Sequence, residues 1–110
     1  MDRQSKYVIT SSHYEEHLIK ILHYGIETFG YKQARKYFNT ISQLVERLDV
    51  DYNYYPECRH IPSKNRMYRN IILDAHLIIY RITDECIEVL DIIHSASSIR
   101  KIHSVRSIHL

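Results

Sequence analysis

The chain is poor in glycine, proline and cysteine, since its 110 residues contain two of each. So few glycines and prolines exclude a collagen-like or low-complexity chain. The 45% hydrophobic and 25% charged residues are typical of an ordinary globular protein. A chain of this length suits one hydrophobic core, so we expect residues 1–110 to form a single domain.

The chain also lacks a long apolar run. Met1 to Lys6 is polar and leads into a short apolar stretch, which is neither a signal peptide nor a membrane-spanning segment. We therefore expect a cytoplasmic protein without a membrane partner. Cys58 and Cys86 form no paired-cysteine motif, and a reducing compartment disfavours a disulfide between them, so we expect two ordinary thiols.

A strong excess of positive charge is missing too, because the net charge is only +2 with histidine neutral. Proteins that bind nucleic acid through phosphate neutralisation alone are usually far more basic. Basic residues are nevertheless concentrated in one stretch: Arg59, His60, Lys64, Arg66 and Arg69. Because no acidic residue lies between Glu57 and Asp74, this stretch makes Arg59 and Lys64 candidates for nucleic-acid contact.

The first part of the chain predicts a strand and a helix. Residues 6–10 (KYVIT) are β-branched and aromatic, which favours a strand. Ser12 followed by Glu15 fits a capping box and predicts a helix start. Gly30 ends the helix with a tight link. Apolar side chains recur along one predicted helical face: Tyr14, Leu18, Ile21, Leu22, Ile26 and Phe29.

A second apolar stripe runs from Ala34 to Leu48 and predicts a second helix, antiparallel to the first. Residues 49–62 hold both prolines and three tyrosines, which is typical of an irregular connection. The period then changes: residues 68–73, 77–83 and 87–93 predict three antiparallel strands. Apolar residues at every third position from 99 to 108 indicate a short amphipathic or fraying C-terminal segment.

This order of elements predicts an α+β fold. The N-terminal strand and the helical hairpin would pack on a mostly antiparallel sheet of about four strands, with the hairpin covering one face.

Four pieces of the chain, taken in order, resemble one known superfamily. They are YEEHLIKILHYGIETFG, which ends in Phe29 and Gly30; YKQARKYFNTI, which carries Ala34; RMYRNIIL with HLIIYRIT, which contains Tyr80 and Arg81; and IEVLDIIHS, which ends near His94. Their order and spacing resemble the RelE/ParE superfamily of toxins from type II toxin–antitoxin systems, also known as plasmid stabilisation proteins. The resemblance covers nearly the whole chain.

The resemblance implies an antitoxin partner, whose C-terminal segment would wrap the toxin in a hetero-oligomer and cover its active surface. It also implies growth arrest through one of two targets. RelE-like members cleave mRNA on the ribosome, whereas ParE-like members poison DNA gyrase. The mild charge and the closing histidine, His94, slightly favour a ParE-like member. A RelE-like ribonuclease and a degenerate, non-enzymatic protein-binding module stay open as alternatives.

Metal-independent RNA cleavage would need cations to stabilise the phosphorane and a group that transfers a proton. Arg66, Arg69 and Arg81 are the candidate catalytic cations, with Lys64 as a further phosphate contact, because they lie just before or within neighbouring strands. His94 or His76 could transfer a proton near neutral pH. The alternative for these residues is a solvated rim of charge and a structural histidine.

His13 and His17 stand one helical turn apart, a spacing that can present two ligands to zinc. Without an obvious third ligand we expect no metal site, and we expect no cofactor. Tyr52, Tyr54 and Tyr55 could stack on bases, although tyrosines in such a connection more often pack in a core or face a partner.

Overall fold

The computed structural model describes residues 5–110; the first four residues of the polar N-terminal stretch lie outside it. Within this range the chain forms four strands and four helices in this order: β1 (Tyr7–Thr10), α1 (Ser12–Phe29), α2 (Tyr31–Glu46), α3 (Leu48–Asp51), β2 (Tyr68–Ile72), β3 (His76–Ile82), β4 (Cys86–His94) and α4 (Ile99–Ser104). A single 3₁₀ turn, Val105–Ser107, extends α4. This order confirms the predicted α+β architecture.

The four strands form one sheet in the order β1-β4-β3-β2. The two hairpins that join β2, β3 and β4 are antiparallel, whereas β1 runs parallel to β4, with Val8 opposite Ile87. A parallel neighbour requires a long crossover, and the helices between β1 and β2 provide it. The sheet is therefore mostly antiparallel, as the sequence predicts.

The helical hairpin begins one residue earlier than predicted. Ser11, rather than Ser12, caps α1: its hydroxyl accepts a hydrogen bond from the Tyr14 amide at 3.0 Å and donates one to the Leu90 carbonyl on β4. The Glu15 carboxylate accepts from the Thr10 hydroxyl at 2.6 Å instead of closing a capping box. The predicted capping box is wrong because the sheet fixes Ser11 at the end of β1.

Two glycines shape the hairpin. Gly30 joins α1 to α2 with φ at +93° and ψ at 159°, a conformation that side chains with a Cβ rarely adopt. Gly25 lets the two helices approach, since a Cβ at this position would lie 3.1 Å from the Ala34 Cβ. The tight link predicted at Gly30 is confirmed.

Both faces of the sheet are covered. On one face, the hairpin and α3 bury a core that includes Ile41, Leu48 and Tyr80. On the other face, the connection before β2 and the C-terminal segment bury a second cluster: Cys58, Ile61, Ile79, Leu90, Ile93, Ile102 and Val105. The C-terminal segment is thus a packed helix and turn. Both cysteines are free thiols. No helix within residues 5–110 is long and apolar enough to cross a membrane.

Candidate functional site

Arg81 lies inside the protein. Only 9% of the residue is exposed, and its guanidinium is surrounded by acceptors. Nε donates to the Glu88 carboxylate at 2.7 Å, Nη1 donates to the Tyr68 hydroxyl at 3.3 Å and to the Arg106 carbonyl at 3.4 Å, and Nη2 donates to the Ile108 carbonyl at 3.1 Å. The side chain therefore fastens the C-terminal segment to the sheet.

The charge of Arg81 is stable in this setting. Burial by itself disfavours the cation, but the hydrogen bonds that Arg81 donates to Tyr68 and Glu88 outweigh it, so the pKa of Arg81 is raised above its ordinary value. A permanent, buried cation beside a carboxylate orders the surrounding chain. A phosphate could reach the guanidinium only if these internal acceptors were displaced.

Arg69 is bound to backbone acceptors in a similar way. Its Nε donates to the Arg66 carbonyl at 2.8 Å, and Nη1 donates to the carbonyls of Tyr55 at 2.9 Å and Asn53 at 3.3 Å. Arg69 thereby holds the irregular connection against the edge strand β2. Arg66, which has a positive φ of 54°, is exposed and lies 3.6 Å from the Glu57 carboxylate.

Arg59 and Lys64, the predicted nucleic-acid contacts, are exposed on the connection before β2. Neither side chain forms an ion pair or a hydrogen bond with any residue in the described range 5–110. Both are free to meet an anion from solvent.

His94 lies at the other end of the sheet. In the register of the β3–β4 hairpin it pairs with His76, and their ring centroids are 5.8 Å apart. Five residues along β3 separate His76 from Arg81, which is roughly 17 Å of extended chain. The structure therefore does not bring the predicted catalytic residues together: the arginines and His94 occupy opposite ends.

His94 belongs instead to a small polar cluster. The Tyr37 hydroxyl and His76 Nδ1 lie within hydrogen-bond distance at 2.8 Å, and His94 Nδ1 accepts from the Ala96 amide at 3.0 Å. Burial, followed by the neighbouring His94, lowers the pKa of His76. Burial, followed by Asp74, raises the pKa of the Tyr37 hydroxyl. At neutral pH His76 is therefore uncharged.

The histidine pair lines a cleft of about 770 Å³ between the helical hairpin and the β2–β3 turn. Most of its surface is apolar. Tyr24 and Phe29 on α1 are more than half exposed here, and Lys20 and Lys36 add positive charge. Sequence reasoning singled out the two histidines but missed Tyr37 and the cleft, because neither has a local signal. The sequence does place His76 at the start of β3 and His94 at the end of β4, so a hairpin register that pairs them could have indicated the cluster.

The predicted histidine pair on α1 divides between two environments. His17 Nδ1 lies 2.6 Å from the carboxylate of buried Asp91, whereas His13 is exposed. Asp91 also accepts the Ile92 amide at 2.8 Å, so it ties α1 to β4. Across the part of the chain that the structure describes, no three metal-ligating side chains converge.

The three tyrosines of the connection also differ in role. Tyr52 is buried, and its carbonyl accepts the Tyr80 hydroxyl at 2.6 Å. Tyr55 packs edge-on against Tyr80 and Tyr54, while Tyr54 itself is 81% exposed. Only Tyr54 offers a largely free ring face.

Comparisons with known proteins agree with this fold. A family model described as the ParE toxin of the type II toxin–antitoxin system parDE matches residues 8–99. A solved structure titled "Chromosomal ParDE TA system from P. aeruginosa" superposes with a TM-score of 0.67. The match covers 83% of this chain and 97% of that chain at 18% identity, a likeness that shows the fold. A comparison with curated proteins gives no match.

Proposed function

The chain belongs to the ParE toxin family of type II toxin–antitoxin systems, and from this premise we propose that it arrests bacterial growth in the cytoplasm by poisoning DNA gyrase. We propose further that a cognate antitoxin binds the toxin and restrains it in a hetero-oligomer.

The choice of gyrase over mRNA rests on one observation: Arg69 and Arg81 bind acceptors within the fold. A ribonuclease that works without a metal needs cations free to contact the phosphorane. Arg81 and Arg69 direct their donors to acceptors within the fold, and His94 lies at the far end of the sheet. A toxin that acts by binding a protein target needs no such convergence, which supports gyrase over mRNA.

The antitoxin site we propose is the cleft beside His76. An amphipathic segment that places its apolar face into a groove is a common mode of peptide recognition. Tyr24 and Phe29 offer the exposed apolar surface, and Lys20 and Lys36 suit acidic residues on the partner. Tyr24→Glu should therefore weaken antitoxin binding. Tyr54→Glu, at an exposed tyrosine outside the cleft, is the matched control and should leave binding unchanged.

The test of the target uses purified gyrase. The toxin should inhibit supercoiling of relaxed plasmid and should accumulate gyrase-linked DNA breaks, and addition of the antitoxin should reverse both effects. In cells, the same breaks should appear within minutes of induction. Supercoiling that proceeds unchanged at a large excess of folded toxin would contradict the gyrase proposal.

Cleavage of mRNA is the second candidate, because Arg59, Lys64 and Arg66 are exposed on one connection. The test is a map of mRNA 5′ ends after brief induction. New ends inside translated codons, lost when all three residues are replaced by alanine, would favour this candidate. These substitutions avoid Arg69 and Arg81, whose removal would disturb the fold.

A further inference from the structure

Two segments without acidic residues pack together in the C-terminal half of the chain. Residues 58–73 and residues 92–110 lack aspartate and glutamate altogether. Cys58 and Ile61 from the first segment and Ile102 and Val105 from the second are buried in one cluster. The exposed residues that alternate with these buried ones therefore lie on the outer surface of the same layer. We call this surface the basic layer.

Besides Arg66, which is exposed but faces Glu57, the basic layer carries five exposed cations: Arg59, Lys64, Arg100, Lys101 and Arg106. None of their side chains has an ion-pair or hydrogen-bond partner among residues 5–110. The neighbouring acids are already paired, since Glu57 faces Arg66 and Glu88 faces Arg81. The basic layer thus presents five positive charges that these two carboxylates do not neutralise.

The layer is also held in place. The Arg81 guanidinium binds the carbonyls of Arg106 and Ile108, and the Ser98 hydroxyl accepts the Lys101 amide at 3.1 Å. Cations on an ordered segment lose less conformational entropy when they bind an anion than cations on a free tail. Exposed cations on an ordered segment therefore suit a polyanion.

From these observations we propose that the basic layer binds the backbone phosphates of duplex DNA. Proteins that hold single strands stack bases on aromatic rings. Residues 92–110 contain no tyrosine, phenylalanine or tryptophan, and Tyr68, the one such residue of 58–73, has its ring against Arg81. A surface with cations but no free aromatic ring can contact phosphates without stacking on bases. It therefore suits a duplex, in which the bases are stacked inside. The toxin itself would make this contact with DNA, whichever cellular target it inhibits.

The experiment measures binding of a fluorescent duplex of about 20 base pairs, roughly 68 Å long, which exceeds the 42 Å longest dimension of the protein. Fluorescence anisotropy is followed from low to high salt. Arg100→Ala, Lys101→Ala and Arg106→Ala together should make the slope of log K against log salt shallower by about 2 to 3. The affinity at 0.1 M salt should fall roughly 100-fold.

The matched control removes three positive charges from the helical hairpin and the residue that follows it, through Lys32→Ala, Arg35→Ala and Arg47→Ala. It should bind the duplex nearly as well as the unchanged protein. Arg100→Lys with Arg106→Lys, which keeps the charge, should retain binding. Circular dichroism checks that each variant is folded.

Three results would overturn the proposal. The first is an equal loss of affinity in the control and in the layer variant, which would mean that net charge alone drives binding. The second is single-stranded DNA that binds as tightly as the duplex. Tighter binding to duplex RNA or to vesicles with anionic lipid would assign the layer to another partner.

Discussion

Arg81→Met removes a buried cation while keeping a side chain of similar length. Glu88, whose side chain is 19% exposed, would lose its cation, and the Tyr68 hydroxyl and two C-terminal carbonyls would lose a donor. Breaking one partner of a buried ion pair costs about 3–5 kcal/mol. At about 4 °C per kcal/mol for a domain of this size, the melting temperature should fall by roughly 12–20 °C.

Urea unfolding followed by circular dichroism measures this loss. Hydrogen exchange of residues 98–110 should rise at the same time, because Arg81 binds the carbonyls of Arg106 and Ile108. Arg47→Met is the control: its ion pair with Asp51 is exposed, so its removal should cost less than about 1 kcal/mol.

A loss below about 1 kcal/mol for Arg81→Met, or unchanged exchange in the C-terminal segment, would refute the structural role of Arg81. A variant with full stability but no toxicity would instead mean that Arg81 acts on the target. Arg81→Met combined with Glu88→Leu should recover part of the stability, since no unpaired carboxylate then remains.

Three further predictions concern the helical hairpin and the cleft. Gly30→Ala should lower the free energy of unfolding by about 1–3 kcal/mol. The loss should come from backbone strain alone, because an added Cβ meets no atom within 4 Å. Thermal unfolding measures the loss, and an unchanged melting temperature would contradict it. Ser11→Ala should cost about 1–2 kcal/mol, because α1 loses its cap and the Leu90 carbonyl loses a donor; Ser11→Thr should cost less in the same assay. Burial and then His94 lower the pKa of His76, so the folded state takes up its proton less readily than the unfolded state. The stability that neutral His76 contributes is therefore fully present above its unfolded pKa of 6.5 and is lost as the pH falls from 6.5 towards the lowered value. His76→Gln should flatten the pH dependence of unfolding in that window, and equal slopes for both proteins would rule this out.

Local patterns of the sequence determined the elements of the fold. Apolar residues at helical spacing predicted α1 and α2, and β-branched runs separated by polar pairs predicted β2, β3 and β4. These signals succeed because a helix or a strand turns one face towards the core. Apolar residues therefore recur with the period of that element, and neighbouring residues are enough to show it. The family resemblance rests on the same ordered segments.

Contacts between distant parts of the chain decided the rest. Ser11 and Ser12 are equivalent as local caps, and the Leu90 carbonyl, 79 residues away, selects Ser11. Arg81 looks like a free cation in the sequence, yet acceptors 25 and 27 residues away engage it. The pairing of His76 with His94 depends on strand register. The sequence by itself therefore determined which segments are helices and strands, whereas only the tertiary structure decided which charges are buried and which face solvent, because burial depends on the packing of remote segments.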